Sequence, residues 1–140
     1  MKNILVIHYS QSGQLTEIVN NIAAPLINSK DIIVVHHQIK MEAPYAFQWK
    51  KKDFLNTFPE SFLQIPSKIK AIPETILNQK FDLVILGYPV WYLSPSIPTT
   101  SFLKSPEAKK LLANTAVVTV IGCRNMWIMA QEKIKVLLKE

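Results

Sequence analysis

The sequence predicts an α/β fold built on a doubly wound parallel sheet, and three observations carry that reading. Short, nearly continuous apolar runs occur at residues 4–8, within 31–38, at 81–87 and at 115–121, as strands buried on both faces require. Apolar residues at helical spacing follow the first and the last of these runs. Polar turns rich in Ser, Gly and Pro close each run, so strands alternate with helices as in βαβ units.

The elements follow in order. After the first strand comes the turn Ser10-Gln11-Ser12-Gly13-Gln14, and then Leu15, Ile18, Val19, Ile22 and Leu26 form one helical stripe. Pro25 is expected to kink or end that helix near Ala23 or Ala24. Ile32-Ile33-Val34-Val35 marks the second strand, and the β-branched run 115–121 the fourth. Between the third and fourth strands lie a Pro-punctuated loop (88–98) and a helix through Phe102 to Leu112. Trp127, Ala130, Ile134, Leu137 and Leu138 give a last apolar helical face. Segment 39–80 is the least regular. Pro44, Pro59, Pro66 and Pro73 interrupt it, an irregular helix is expected over 67–79, and Phe47, Trp49, Phe54, Phe58 and Phe62 read as an excursion packed over the sheet edge. Right-handed crossovers place the first strand near the centre of the sheet. A ligand would then sit beyond the strand C-termini, where the loops after strands one, three and four meet.

Composition narrows the function classes. With 140 residues, 49% hydrophobic and 19% charged, the chain fits one domain with a proper core. Its apolar runs are too short to span a bilayer and the N-terminus lacks a signal-peptide layout, so a cytoplasmic protein is expected. The single cysteine, Cys123, excludes an internal disulfide and any multi-cysteine metal site. The net charge is +6, but Arg124 is the only arginine and the lysines are scattered, so no nucleic-acid partner is expected. His36 and His37 are adjacent on a strand and point to opposite faces, which leaves no metal site in view.

The loop between the first strand and first helix carries the most chemistry. Unpaired N–H groups at a helix N-terminus bear partial positive charge and bind phosphate, hydroxyls add donors, and Gly13 lets the backbone approach an anion. An ordinary helix cap uses the same residue types. The pattern is neither a dinucleotide GxGxxG nor a Walker loop.

Tyr9-Ser10-x-Ser12-Gly13-Gln14 resembles the phosphate loop of flavodoxins and of flavodoxin-like quinone reductases, which bind FMN. Asp82-Leu83-Val84-Ile85-Leu86-Gly87-Tyr88-Pro89-Val90-Trp91 and Gly122-Cys123-Arg124-Asn125-Met126-Trp127 extend the likeness over about two-thirds of the chain. The resemblance implies a flavodoxin-like fold with FMN as cofactor. Ser10, Gln11, Ser12, Gly13, Gln14 and Leu15 would hold the phosphate, although flavodoxins place a threonine where Leu15 stands. Pro89, Val90, Trp91 and Tyr92 would line the isoalloxazine, with Trp91 or Tyr92 stacked on it; Trp91 as a core aromatic is the other reading. Gly122, Cys123, Arg124 and Asn125 would face the pyrimidine edge, Arg124 serving instead as a substrate contact or a surface cap. Cys123 has no paired base and reads as a packing residue.

The Ser-Gln-Ser-Gly-Gln-Leu-Thr and Arg-Asn-Met-Trp passages resemble, more narrowly, flavodoxin-like proteins known as dialkylresorcinol condensing enzymes. That implies an FMN-binding oxidoreductase of the quinone-reductase type in alkylresorcinol-type lipid biosynthesis, with a small-molecule or carrier-bound substrate. The alternative is a scaffold without FMN that acts as an interaction module and docks an acidic carrier protein. Relative to the family pattern the chain reads as truncated before a fifth strand. Its fourth strand would then be an uncovered apolar edge, favouring weak stability or a homodimer.

Overall fold

The computed structural model describes residues 1–45, 51–123 and 127–139. The elements run β1 (Lys2–His8), α1 (Gln14–Ile27), β2 (Ile32–Gln38), α2 (Lys51–Phe62), α3 (Glu74–Leu77), β3 (Leu83–Trp91), β4 (Ser94–Pro95), α4 (Ile97–Leu103), α5 (Pro106–Leu112), β5 (Ala116–Gly122) and α6 (Ile128–Lys139). The strands β2, β1, β3 and β5 lie side by side and parallel. Ile4 stands opposite Val34 and Leu83, and Val84 opposite Val117. β1 and β3 hold the centre and are buried on both faces, which is why they read as unbroken apolar runs.

Each face of the sheet has its own apolar layer. Ile4, Val6 and Ile85 pack under Leu15, Val19 and Ala23 of α1. Leu5, Ile7, Val84, Leu86 and Tyr88 belong to the larger layer, with Phe102, Leu111, Ala130 and Ile134 from α4, α5 and α6. The buried Tyr88 hydroxyl donates to Gln131 Oε1 at 2.6 Å and so ties α6 to the sheet. Helices on both faces of a parallel sheet are the doubly wound architecture that the strand–helix alternation predicts.

Several boundaries differ from the sequence expectation, each for a local reason. Pro25 sits inside α1, which continues to Ile27. Its missing donor falls in the last turns on an exposed face, where the freed carbonyl is open to solvent. The 102–112 helix is two helices, because Ser105 stops the first and caps the second by accepting from Ala108 N at 3.2 Å, with Pro106 at the first helical position. Within 67–79 only Glu74–Leu77 is helical, and Ile69 instead forms an antiparallel bridge with Met41. The aromatic segment carries α2, whose helical register continues through Pro59. Residues 46–50, with Phe47 and Trp49, lie outside the described residues.

The 88–98 loop is the largest change. β3 runs on through Trp91 and returns as β4, with Trp91 paired to Ser94 across Tyr92 and Leu93. Both turn residues are left-handed, with φ of 53° and 61°. Such two-residue hairpin turns favour Asn and Gly, so this turn carries strain of about 1–2 kcal/mol per residue. Neighbours hold it in place. Ser61 Oγ donates to Trp91 O at 3.1 Å, Phe58 meets Tyr92 edge-on at 5.0 Å, and Lys133 Nζ donates to Ser94 Oγ at 2.7 Å. At the far side of the sheet, among the described residues, β5 pairs only with β3, and Val118 is half exposed.

Candidate functional site

The C-terminal ends of β1, β3 and β5 come together where the strand order reverses, the place where doubly wound sheets bind ligands. Tyr9 N donates to Gly87 O at 3.3 Å, and Pro89 stands opposite Gly122. Between these ends lies a cavity of about 540 Å³, within the ordinary range for small-molecule sites. Ser10, Gln11, Ser12, Gln14 and Leu15 line one wall, Pro89, Gly122 and Cys123 the other, and Ile18 and Ile121 complete it. No carboxylate is among the lining residues.

The loop is built by its own small side chains. Gly13 caps α1 with φ of 90°, a conformation that L side chains rarely adopt. Its N–H donates to Ser10 Oγ at 3.0 Å, and Gln14 N donates to Ser12 Oγ at 3.5 Å. A Cβ built on Gly13 would meet nothing within 4 Å, so the loop is open at that point. The Leu15 side chain turns inward and is buried with Val19 and Ile85. Leu15 can therefore serve an anion only through its backbone N–H, which like the other first N–H groups of α1 has no acceptor within the helix. The positive end of the helix dipole adds to the attraction.

His8 lies beneath the loop, 4% exposed, with Nε2 2.9 Å from Thr16 Oγ1 and Nδ1 without a hydrogen-bond partner. Burial, with smaller contributions from His36 and His37, lowers its pKa to about 4. The folded protein thus holds His8 neutral, while the unfolded chain takes up a proton as the pH falls below about 6.5. Stability is therefore lost between about pH 6.5 and pH 4, by on the order of 3 kcal/mol from this group. Urea midpoints at pH 7.5 and pH 4.5 should separate clearly in the wild type and much less in His8→Gln. Equal separations would mean that another group carries the acid sensitivity.

The loop, Pro89, Gly122 and Cys123 are brought together as the sequence suggests. Val90, Trp91 and Tyr92 are not among the residues lining this cavity. Trp91 is buried, edge-on to Tyr9 at 5.8 Å and to Tyr45 at 5.3 Å, the core-aromatic alternative. Burial raises the Tyr9 and Tyr92 pKa values to about 12, so both phenols stay protonated. Arg124 and Asn125 lie outside the described residues. Sequence reasoning missed Ile18 and Ile121 as wall residues. For Ile121 the signal was present, since it is the last apolar residue of its strand run, while Ile18 lies one turn beyond Leu15 on the α1 stripe. Among the described residues no helix is long and apolar enough to cross a membrane, and no three metal-ligating side chains gather.

No protein-family model matches the chain, and no curated protein resembles it closely enough to align. Solved structures do. A flavoprotein from Lactobacillus acidophilus NCFM, crystallised in complex with FMN, superimposes with a TM-score of 0.72 at 16% identity, over 99% of this chain and 87% of that one. Two proteins described as flavoproteins, from Bacteroides eggerthii DSM 20697 and Bacteroides uniformis ATCC 8492, give TM-scores of 0.72 and 0.70 at 20% and 12% identity. They match over 97% and 96% of this chain, and over 80% and 81% of their own. Identities this low carry the architecture alone, and on that ground the chain has the flavodoxin-like α/β fold.

Proposed function

We propose that the chain is an FMN-binding oxidoreductase whose cofactor phosphate sits on the loop Ser10–Thr16. The observation that carries this reading is the cavity itself. It joins a helix-capping loop left open by Gly13, free of carboxylates, to an apolar wall of Pro89, Ile121 and Gly122. That donor set and apolar wall suit a phosphate at one end and an aromatic ring at the other. Bound FMN would supply the hydride or electron chemistry. The protein's share is to bind and orient it, with the α1 N–H groups and the Ser10 and Ser12 hydroxyls toward the phosphate and Pro89 and Gly122 against the ring. The FMN complex of the Lactobacillus flavoprotein supports the cofactor assignment. Trp91 packs away from the cavity rather than into it, which leaves the slot open and argues against a scaffold that has lost the flavin. Titrating FMN with the purified chain should quench flavin fluorescence saturably; unsaturable quenching would remove the redox reading.

The substrate reading is a cyclic diketone bearing an alkyl chain, oxidised to an aromatic resorcinol. Besides the sequence resemblance, it is supported by an apolar cavity of about 260 Å³ lined by Leu93, Trp127, Ile128 and Met129. All three of the α6-side residues are well exposed. Turnover by the FMN-loaded protein should improve as the alkyl chain lengthens, and a flat dependence on chain length would count against this substrate class.

A further inference from the structure

A second concave site lies at the β2 edge of the sheet, with β1 between it and the loop of the flavin cavity. Past Gln38 the chain continues antiparallel to residues 68–70. Lys70 N donates to Lys40 O at 2.7 Å, Glu42 N donates to Lys68 O at 3.1 Å, and Met41 bridges Ile69. Ile39 and Met41 face the core, so Lys40 and Lys70 are both turned outward. The register makes them direct cross-strand partners. Two residues along, beyond the Met41–Ile69 bridge, Glu42 and Lys68 are opposite and complementary. Lys40 and Lys70 are opposite and alike, an arrangement that destabilises a strand pair.

These two lysines line a cavity of about 380 Å³ together with His36, His37 and Gln38. Ala71 and Pro73 close it, and no carboxylate lines it; Glu42 and Lys68 belong to the adjoining cavity. The one ion pair among the described residues is Lys135–Glu132, so neither Lys40 nor Lys70 is held in an ion pair. His37 is half-buried, and burial, then the charge of Lys40, lowers its pKa.

We propose that this cavity is an anion site for a phosphate-bearing small molecule, held between Lys40 and Lys70 with His36 and Gln38, which share the Lys40 face of the strand, as further hydrogen-bonding groups. An anion there removes the like-charge repulsion that the register imposes, and ammonium–phosphate hydrogen bonds are among the stronger polar contacts. The site shares no residue with the flavin cavity and stands whether or not FMN binds.

The histidines report the two sites by proximity, His8 feeling the new cavity only through the weaker influence of His36 and His37. His8 touches Thr16 of the phosphate loop, whereas His36 and His37 line the new cavity. Inorganic pyrophosphate and inorganic phosphate, each titrated into the full chain at constant ionic strength, should shift the His36 and His37 ring resonances saturably. Acetate should not. Pyrophosphate binding tighter than phosphate would identify a ligand with two phosphoryl groups; the reverse order would identify a monophosphate. Lys40→Gln with Lys70→Gln should weaken binding by about tenfold or more, the size expected for two lost charge-assisted contacts. Lys70→Glu, which gives Lys40 its missing partner, should abolish it. Unchanged His8 resonances in these variants establish that the fold is intact. Shifts that do not saturate, that appear with acetate, that are confined to His8, or that survive both variants would overturn the proposal.

Discussion

Replacing Gly13 by aspartate is expected to weaken FMN binding by about 100-fold or more, since a carboxylate about 4 Å from phosphate near a protein surface costs several kcal/mol. Nothing lies within 4 Å of a Cβ at Gly13, so the new side chain would enter open space beside the cavity-lining Ser12 and Gln14 rather than clash with the fold. The φ of 90° adds a second penalty for any side chain there, about 1 kcal/mol. Gly13→Asn separates the two effects. It matches aspartate in shape, tolerates left-handed backbone better than most residues, and brings no charge. Fluorescence titrations should place the asparagine variant close to wild type and the aspartate variant far from it. Equal weakening in both would make loop geometry the cause. An aspartate variant that binds like wild type would mean that the phosphate lies elsewhere.

The largest stability effect is expected at Gly87. This residue sits in the central strand β3 opposite His8, and α1 crosses directly above it. A Cβ there would come within 2.8 Å of Val19 Cγ1 and 3.1 Å of His8 Cβ. Both neighbours are buried, and the backbone beneath is locked between β1 and β5, so the added methyl has nowhere to go. Gly87→Ala should cost about 1–3 kcal/mol, a typical overpacking penalty. For a chain of this length that lowers Tm by roughly 4–10 °C. Gly122→Ala is the contrasting case. Its Cβ would meet Leu15 Cδ1 at 3.5 Å, an ordinary contact, so the change should stay within about 0.5 kcal/mol. Thermal melts of the pair test the packing account directly. A Gly87→Ala melt as mild as that of Gly122→Ala would refute it.

The fold was legible in the sequence because its central strands are buried on both faces. Residues 4–7 and 83–86 have no polar side to disguise them, and α1 shows its buried face as a stripe. What was not legible depended on tertiary support. Nothing local predicts that Tyr92 and Leu93 would both take left-handed backbone, because the turn is held by Ser61, Phe58 and Lys133 from distant parts of the chain. The same hairpin decides the fate of Trp91. Read as the mouth of a loop, it looked free to stack on a ligand; as the last residue of a strand, it packs between Tyr9 and Tyr45. The loop Ser10–Gln14 was legible as a candidate phosphate site by its chemistry, but the inward turn of Leu15 was not, since an apolar residue in a polar turn fits either a lost donor or an anchor.

That anchor has a kinetic consequence. Leu15 is fixed in the core on one side and approaches Gly122 on the other, so it pins the start of α1 against the end of β5. A loop fastened in this way has little conformational entropy left to surrender when a ligand arrives. Association should then run at the pace of diffusive docking, and differences in affinity among loop variants should appear mainly as differences in residence time.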